Sequence, residues 1–329
     1  MRIRIILLFL IMLLISTGVA RATVTDNPSD LIVPAGESYT LDGSHTYTNS
    51  VQIDGTLYVI PYDGTGNTGR LELVAPVITI NGSINIDGKG YQGGLKTQVG
   101  TRDGDGPGGG KSANDGGGAG YGGNGGEHQS GTGGIAYGSI TQPGELGSGG
   151  GGGFYSDGGE GGGTIRIDVS STLTINGIIK ANGGSNVATR NYYGGGGSGG
   201  SIYIVTNVLA GNGCIKANGG DGTNGGAGGR IAIYYTTDSY TGTISAYGGT
   251  GYYKCGGAGT IFTKSSSQAY GDLLIDNNNN EGVTPIVDGT YTFDSVVIKN
   301  CFRRSIVQSN SKRFYFLFII HIVNAIIFN

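Results

Sequence analysis

The 329-residue sequence contains no tryptophan, seven prolines and three cysteines, and only 13% of its residues are charged. Cys214, Cys255 and Cys301 are too few and too widely spaced for a disulfide framework, and none has the spacing of a metal-ligand motif. One bridge between Cys214 and Cys255 can form in an oxidising compartment. Scarce proline, and glycines without a strict every-third spacing, exclude a collagen-like chain.

Positive charge is scarce in the central part of the chain. All 23 acidic residues lie between residues 23 and 300, whereas seven of the 20 basic residues lie at the two ends, so the central part carries a net charge of about −10. Nucleic acid would require the opposite sign and is excluded as a partner. A divalent cation or a neutral polymer fits this charge better.

Glycine is abundant instead, with 70 residues, about three times its usual share. Nearly half of residues 88–163 are glycine. This stretch is either a long lateral insertion or a set of extended polyglycine segments that pack side by side. A flexible loop is the further alternative, because ordering glycine is entropically expensive. The sequence leaves these alternatives open.

The amino terminus has the pattern of a secretion signal. Arg2 and Arg4 precede a short apolar run, and Ala20-Arg21-Ala22 supplies a small-x-small cleavage site. We therefore expect cleavage after Ala22 and a secreted protein; an uncleaved anchor is the alternative, for which the apolar run is short.

Two motifs recur in phase along the second half of the chain. The first is a glycine pair followed by alternating apolar residues, and its isoleucines Ile165, Ile202, Ile231 and Ile261 are spaced by 37, 29 and 30 residues. The second motif follows the first and is a short apolar segment between turns. Its copies are NGIIKANGG at Asn176, NGCIKANGG at Asn212 and TGTISAYGG at Thr241, with weaker copies at Asn81 and Asp54.

The alternation predicts strands. Ile165 and Ile167 would share one face and Arg166 would lie on the other, and each repeat would hold two short strands, a tight turn and a glycine-rich loop. Such a repeat buries its apolar face only by stacking on its neighbours. We therefore predict an all-β fold, a single-stranded parallel β-helix (solenoid) with a long glycine-rich insertion.

The paired motifs GGSGGSIYI and GNGCIKANGG, followed by GGAGTIFTK and GDLLIDN, resemble a group of glycine-rich secreted and cell-surface proteins of bacteria and archaea, with relatives among plant glycine-rich proteins. The resemblance covers about residues 51–300. It implies a pectin-lyase-like β-helix in an extracellular protein, and it brings no catalytic residues.

The carboxyl-terminal end repeats an earlier pattern and then changes. DGTYTFDSVVIKN at Asp288 is similar to SHTYTNSVQIDG at Ser44, whereas residues 301–329 contain no glycine or acid and are largely apolar. We favour the end of a truncated or frame-shifted tandem array over a weak membrane anchor. The predicted divisions are 1–22 (signal peptide), 23–87 (amino-terminal β region and first rungs), 88–163 (glycine-rich insertion), 164–286 (β-helix repeats), 287–300 (start of a second copy of the amino-terminal unit) and 301–329 (hydrophobic tail).

Acids in the glycine-rich stretch are the candidate metal ligands. Asp103, Asp105, Asp157 and Glu160 lie in Asp-Gly loops that can present oxygens to Ca²⁺, although the spacing matches no established calcium loop. Solvated turns are the alternative. The sequence indicates no other cofactor.

Tyrosine pairs mark the loops and are the candidate glycan-stacking residues. Tyr192, Tyr193, Tyr252 and Tyr253 can stack on sugar rings, or they can pack between rungs. No catalytic motif is evident. We therefore predict a non-enzymatic structural or adhesive protein, with extracellular polysaccharide or cell-envelope components as partners and membrane contact only through the leader or the tail. A carbohydrate-active β-helix enzyme (lyase or glycosidase) or a glycan-binding module is the alternative.

Overall fold

The computed structural model of the protein describes residues 22–96, 102–129, 131–186, 193–286, 291–301 and 320–323. Within these ranges all regular elements are β-strands and no helix occurs. The described residues accordingly contain no helix of sufficient length and apolarity to cross a membrane. The predicted all-β class is confirmed. The predicted signal peptide, with the exception of Ala22, lies outside the described residues.

The strands are short except for three that reach 11 or 12 residues. In chain order they are β1 (Thr25–Asp26), β2 (Asp30–Val33), β3 (Ser38–Thr40), β4 (Gly43–Thr46), β5 (Ser50–Ile53), β6 (Thr56–Tyr58), β7 (Arg70–Ile80), β8 (Ser83–Asn85), β9 (Thr164–Ile175), β10 (Ile178–Lys180), β11 (Ser201–Gly211), β12 (Cys214–Lys216), β13 (Gly222–Asn224), β14 (Arg230–Tyr235), β15 (Thr237–Tyr240), β16 (Thr243–Ser245), β17 (Gly251–Lys254), β18 (Thr260–Ser265), β19 (Asp272–Asp276), β20 (Ser295–Lys299) and β21 (Ile320–Val323).

In two sheets the spatial order of the strands follows their order along the chain. The larger sheet runs β1-β2-β5-β7-β9-β11-β14-β18-β19-β20-β21, with β4 paired to β7 and β15 paired to β11. The second sheet runs β3-β6-β8-β10-β12-β16, and β13 pairs with β17 in a third. Pairing is parallel throughout, except between β1 and β2 and between β18 and β19. The sheets are therefore predominantly parallel.

The long strands have a register shift in the middle, and β7 and β11 each pair with a different short strand at each half. The first half of β11 pairs with β14 and its second half with β15, and the register between β9 and β11 shifts at Thr206/Val208. The register shift follows from sequence, because the alternation of β9 is interrupted at Ser170 and Ser171, which are both exposed, and resumes at Leu173. Each repeat thus contributes three paired segments, one more than the two short strands predicted.

Aliphatic side chains form columns across the paired strands. Ile165, Ile202, Ile231 and Ile261 occupy equivalent registers, and each is at most 4% exposed. In the second sheet Ile84, Ile179 and Ile215 are in register and fully buried. Burial of such a side chain contributes about 1.5–3 kcal/mol relative to leaving it exposed. The predicted isoleucine faces are confirmed.

The glycine-rich stretch is an ordered array of extended segments in the described residues. Three backbone amides donate to one neighbouring segment: Gly147 to the carbonyl of Gly162, Gly150 to that of Gly159, and Gly153 to that of Ser156. Donors three residues apart therefore meet the same neighbouring segment, which is the period of a polyproline II-type helix with its 3 residues per turn. Of the alternatives for this stretch, packed polyglycine segments are the arrangement observed in the described residues.

The segments of this glycine array approach so closely that side chains are excluded. A methyl group at Gly150 would overlap the carbonyl oxygen of Gly195, and one at Gly197 would overlap that of Glu160. Gly195 in turn donates to Gly151, at 2.9 Å. The array is thus held by backbone hydrogen bonds between segments, and glycine is required by space as well as by turns.

Two strand pairs at opposite ends of the large sheet have the same sequence pattern and register. In the first pair Asp30 lies opposite Ser50, and in the second Asp272 lies opposite Ser295. The second pair follows the antiparallel contact between β18 and β19, so it runs against the direction of the preceding strands. The equivalent pairings involve the segments whose sequence similarity predicts the start of a second amino-terminal unit.

Candidate functional site

The outer face of the large sheet carries an unusual row of polar side chains. Residues between the buried isoleucines point to this face, because side chains alternate along a strand. The first outer row, in register across β7, β9, β11, β14 and β18, consists of Arg70, Thr164, Ser201, Arg230 and Thr260. The second outer row consists of Glu72, Arg166, Tyr203, Ala232 and Phe262.

Residues 137–146, here called the covering segment, lie across this outer face. They leave the glycine array, and their carbonyl oxygens accept hydrogen bonds from side chains of three strands. The bonds are Arg230 Nε to Tyr137 O at 2.8 Å, Tyr234 Oη to Thr141 O at 2.8 Å, Arg70 Nη1 to Gly144 O at 2.6 Å and Ser201 Oγ to Glu145 O at 2.5 Å.

Arg230 joins the sheet to the glycine array. Its side chain is fully buried, it donates to Thr260 Oγ1 at 3.0 Å, and its guanidinium carbon lies 5.6 Å from the ring centroid of Tyr121. Burial lowers the pKa of Arg230, and burial also raises the pKa of Tyr121 to about 12. A buried cation surrounded by carbonyl oxygens and tyrosine rings has a structural role here.

A groove of about 530 Å³ lies where the covering segment meets β7, β9 and β11. Its size is that of small-molecule binding sites. Its walls combine charged, amide and hydroxyl groups with one aromatic ring. They are formed by Gly43, Ser44, Asn67, Arg70, Leu71, Glu72, Gln142, Pro143, Gly144, Thr164, Ile165, Arg166 and Tyr203.

Arg166 is the centre of the charged network in this groove. Its Nε lies 3.2 Å from Glu72 Oε1 and 2.8 Å from Asp168 Oδ2, and its guanidinium lies 4.8 Å from the ring centroid of Tyr203. Burial would lower the pKa of Arg166, but the hydrogen bond and charge of Asp168, with the charges of Tyr203 and Glu72, raise it. The guanidinium therefore stays charged and fixed in orientation.

Thr164 supplies an unpartnered polar atom in the same groove. The residue is 8% exposed, and its Oγ1 is buried without a hydrogen-bond partner among the described residues. Buried hydroxyl groups are normally hydrogen-bonded, because leaving one unpaired costs about 1–3 kcal/mol. An unsatisfied hydroxyl beside a groove indicates a place for a ligand atom.

The structure gives two of the predicted calcium ligands basic partners. Asp103 accepts from Lys111 Nζ at 2.9 Å and Asp105 from Arg102 at 2.7 Å. Burial alone would raise the pKa of Asp103, but its hydrogen bonds from Ser112 N and Lys111 hold it below the usual value.

The other two predicted ligands line a different cavity. Asp157 and Glu160 border a second groove of about 620 Å³, where Asp157 accepts from Lys96 N at 2.7 Å. No cluster of three or more His, Cys, Asp or Glu side chains suited to a metal occurs within the described ranges. The calcium site stays a prediction.

The candidate tyrosines belong to two groups of rings. Tyr193 packs 6.0 Å from Tyr155, whereas Tyr252 is 57% exposed and contacts Tyr253, which stacks on His128 at 3.9 Å. Tyr192 lies outside the described residues. Sequence reasoning overlooked Tyr155, which is 54% exposed. The available signal was its adjacent aromatic neighbour Phe154, whose ring lies 4.9 Å from it.

The cysteines carry free thiols in this structure. Cys214 lies on β12 and its sulfur accepts from Thr243 Oγ1 at 3.3 Å. Cys255 lies in a glycine segment and is partly exposed. The bridge between Cys214 and Cys255 therefore stays a prediction for oxidising conditions.

The groove itself was not predicted. Alternation placed Arg166 and Tyr203 on the outer face, but the pairing of Arg166 with Glu72 joins strands on either side of the glycine-rich stretch. The signal available in the sequence was the alternating segment RLELV at Arg70, which matches the strand motif without its glycine pair.

Comparison with known proteins adds no relative. No protein-family model, no curated protein and no solved structure matches the chain.

Proposed function

We propose that the protein is a secreted, non-enzymatic structural protein, built as a parallel β-solenoid and displayed in the extracellular space or on the cell surface. The observation that carries this proposal is the common strand order of the two sheets, in which β9, β11 and β14 pair in series and β10, β12 and β16 pair in the same series. A chain that passes from one sheet to the other and returns one position further along winds as a solenoid coil.

The glycine array supports a scaffold role. It lies beside the coils, its glycine segments alternate with their strands, and it consists largely of backbone without reactive side chains. A rigid, unreactive surface with exposed rings at its loops, such as Tyr155 and Tyr252, suits adhesion to an envelope or matrix.

The chemistry of the groove favours binding over hydrolysis. A glycosidase places two carboxyl groups on either side of the bond that it cleaves. Glu72 and Asp168 instead contact the same Nε edge of Arg166. A structural protein with a binding groove fits this arrangement better than an enzyme.

The proposal is tested by expressing the full chain with its leader in a bacterial host. We expect a mature protein outside the cytoplasm that begins at Thr23, and small-angle scattering from an elongated particle, since strands stack at about 4.8 Å per coil. A protein that keeps Met1 and stays in the cytoplasm would contradict secretion, and a spherical scattering profile would contradict the solenoid.

An activity measurement separates the enzyme alternative. We expect no new reducing ends or unsaturated products when the purified protein is incubated with extracellular polysaccharides. Cleavage that is lost when Asp103, Asp105, Asp157 and Glu160 are replaced together by their amides would instead establish an enzyme at the predicted acidic residues.

A further inference from the structure

We propose that the groove around Arg166 binds a neutral, hydroxyl-rich sugar unit of an extracellular polysaccharide. The proposal rests on the proposed extracellular function and names its partner class. It concerns a surface different from the tyrosine loops, because its walls come from β7, β9, β11 and the covering segment.

The charges of the groove favour a neutral ligand. Arg70 and Arg166 supply two positive charges, and Glu72 and the adjoining Asp168 supply two negative charges. A free anion would meet the two carboxylates and a free cation would meet the two guanidinium groups. Only a ligand without net charge avoids repulsion by groups of its own sign in this balanced network.

The lining groups match the hydrogen bonding of sugar hydroxyls. Each hydroxyl both donates and accepts, and the groove offers both functions: amide and guanidinium donors at Asn67, Gln142 and Arg166, and a carboxylate acceptor at Glu72. Both carboxylates contact Nε of Arg166, and within the described ranges its two terminal nitrogens make no hydrogen bond. These nitrogens are donors in a fixed planar orientation.

The unsatisfied hydroxyl of Thr164 is the second, independent indication. Its Oγ1 is buried beside these donors and has no hydrogen-bond partner among the described residues. A ligand hydroxyl seated in the groove would satisfy it. An apolar ligand would leave both this hydroxyl and the charged network without compensation.

The groove is accessible and its walls are held in place. The side chains of Arg166 and Glu72 are 49% and 36% exposed, so a polymer chain can reach them from solvent. The opposite wall is fixed by the bond from Arg70 Nη1 to Gly144 O. Because its walls are pre-arranged, the groove loses little conformational entropy when a ligand binds.

The test uses the full mature chain and isothermal titration calorimetry. The probes are four neutral hexasaccharides (cellohexaose, xylohexaose, mannohexaose and maltohexaose) and the anionic hexagalacturonate. We expect at least one neutral probe to bind and hexagalacturonate to bind more weakly. Arg166→Met should weaken neutral binding at least about 10-fold, since hydrogen bonds to charged groups are the stronger class.

Thr164 provides the variant that separates binding from folding. Thr164→Val keeps the shape of the side chain and removes the unsatisfied hydroxyl, so its melting temperature should be unchanged or higher while binding weakens about 2- to 10-fold. Thr164→Ser keeps the hydroxyl and should retain binding. Lys254→Met, in an exposed ion pair with Glu281 outside the groove, is the matched control and should bind as the wild type does.

Several outcomes would overturn the groove proposal. They are failure of all four neutral probes to bind a folded protein, tighter binding of hexagalacturonate, or neutral binding that Arg166→Met and Thr164→Val leave intact. A secreted, elongated protein with any of these results would still satisfy the proposed function, so the two proposals fail separately.

Discussion

Extended segments lie side by side in both the strand sheets and the glycine array, but different contacts hold them together. In the sheets, backbone hydrogen bonds join neighbouring strands, and buried side chains such as Ile167 and Ile204 pack in register on one face. In the array there are almost no side chains, and segments such as those around Gly150 and Gly197 touch through their backbones.

This difference separates two sources of stability. The sheets gain stability from apolar surface removed from water, which tolerates changes of aliphatic type when volume is kept. The array gains from close approach and hydrogen bonds, and it lacks the entropy advantage of residues with side chains. Substitutions that remove atoms should therefore damage the sheets, whereas those that add atoms should damage the array.

The largest expected effect is removal of an aliphatic side chain from a column. Ile204→Ala should lower the free energy of unfolding by about 2–5 kcal/mol, because Ile204 is fully buried and a cavity would remain. Chemical denaturation measures the change. Ile135→Ala, at a residue that is 66% exposed, is the control and should change stability by less than about 0.5 kcal/mol. Equal losses in both variants would contradict the assigned core.

The reverse substitution tests the array. Gly150→Ala should lower the free energy of unfolding by about 1–3 kcal/mol, because the added methyl group overlaps the rigid carbonyl of Gly195. Gly144→Ala is the matched control, since nothing lies within 4 Å of a methyl group there. Thermal unfolding of both variants measures the difference. A melting temperature for Gly150→Ala equal to that of the control would show that the array is not closely packed.

Arg230 tests the connection between the two regions. Arg230→Met leaves the carbonyl oxygens of Tyr121 and Tyr137 without this donor, so we expect a loss of about 1–3 kcal/mol. Arg102→Met, in an exposed ion pair with Asp105, should cost less than about 1 kcal/mol. Relative to the wild type, Arg230→Met should accelerate amide hydrogen exchange more in the array than in the sheets. Equal acceleration in both regions would contradict a local role.

The smallest expected effect on stability at neutral pH comes from replacing Tyr121, which lies at the same connection between the sheets and the array. Burial raises the pKa of Tyr121 to about 12, above the ordinary value near 10 of an unfolded chain. Its contribution is therefore fully present below pH 10 and is lost as pH rises from about 10 to 12, by roughly 1 kcal/mol per pH unit.

Alkaline unfolding curves measure this contribution. Tyr121→Phe removes a titrating group, so its stability should fall less steeply with pH than that of the wild type above pH 10. Tyr252→Phe, at an exposed ring, is the control and should leave the slope unchanged. Identical slopes for wild type and Tyr121→Phe would show that the Tyr121 ring is not buried.

The sequence was most informative where side chains alternate. The faces of Ile165, Ile167 and Arg166 followed from a period of two, and the parallel pairing followed from the repeated motifs. The order of the glycine array could not be derived, because glycine carries no pattern that distinguishes packed segments from a loop. The groove depends on register between β7 and β9, which neighbours in sequence do not reveal.

The period of three in the glycine array has a consequence for folding kinetics. Sliding one glycine segment past another by three residues restores equivalent backbone hydrogen bonds, so within the array only a few side-chain bonds, such as that from Ser148 N to Ser198 Oγ, distinguish one alignment from another. The flanking strands can choose, because a slip of one residue would turn Ile202 outward and Tyr203 inward. We therefore expect the strands to pair first and to align the glycine segments. Amides such as that of Gly150 should then gain protection from exchange later than those of Ile202 and Ile204 when refolding is followed in time.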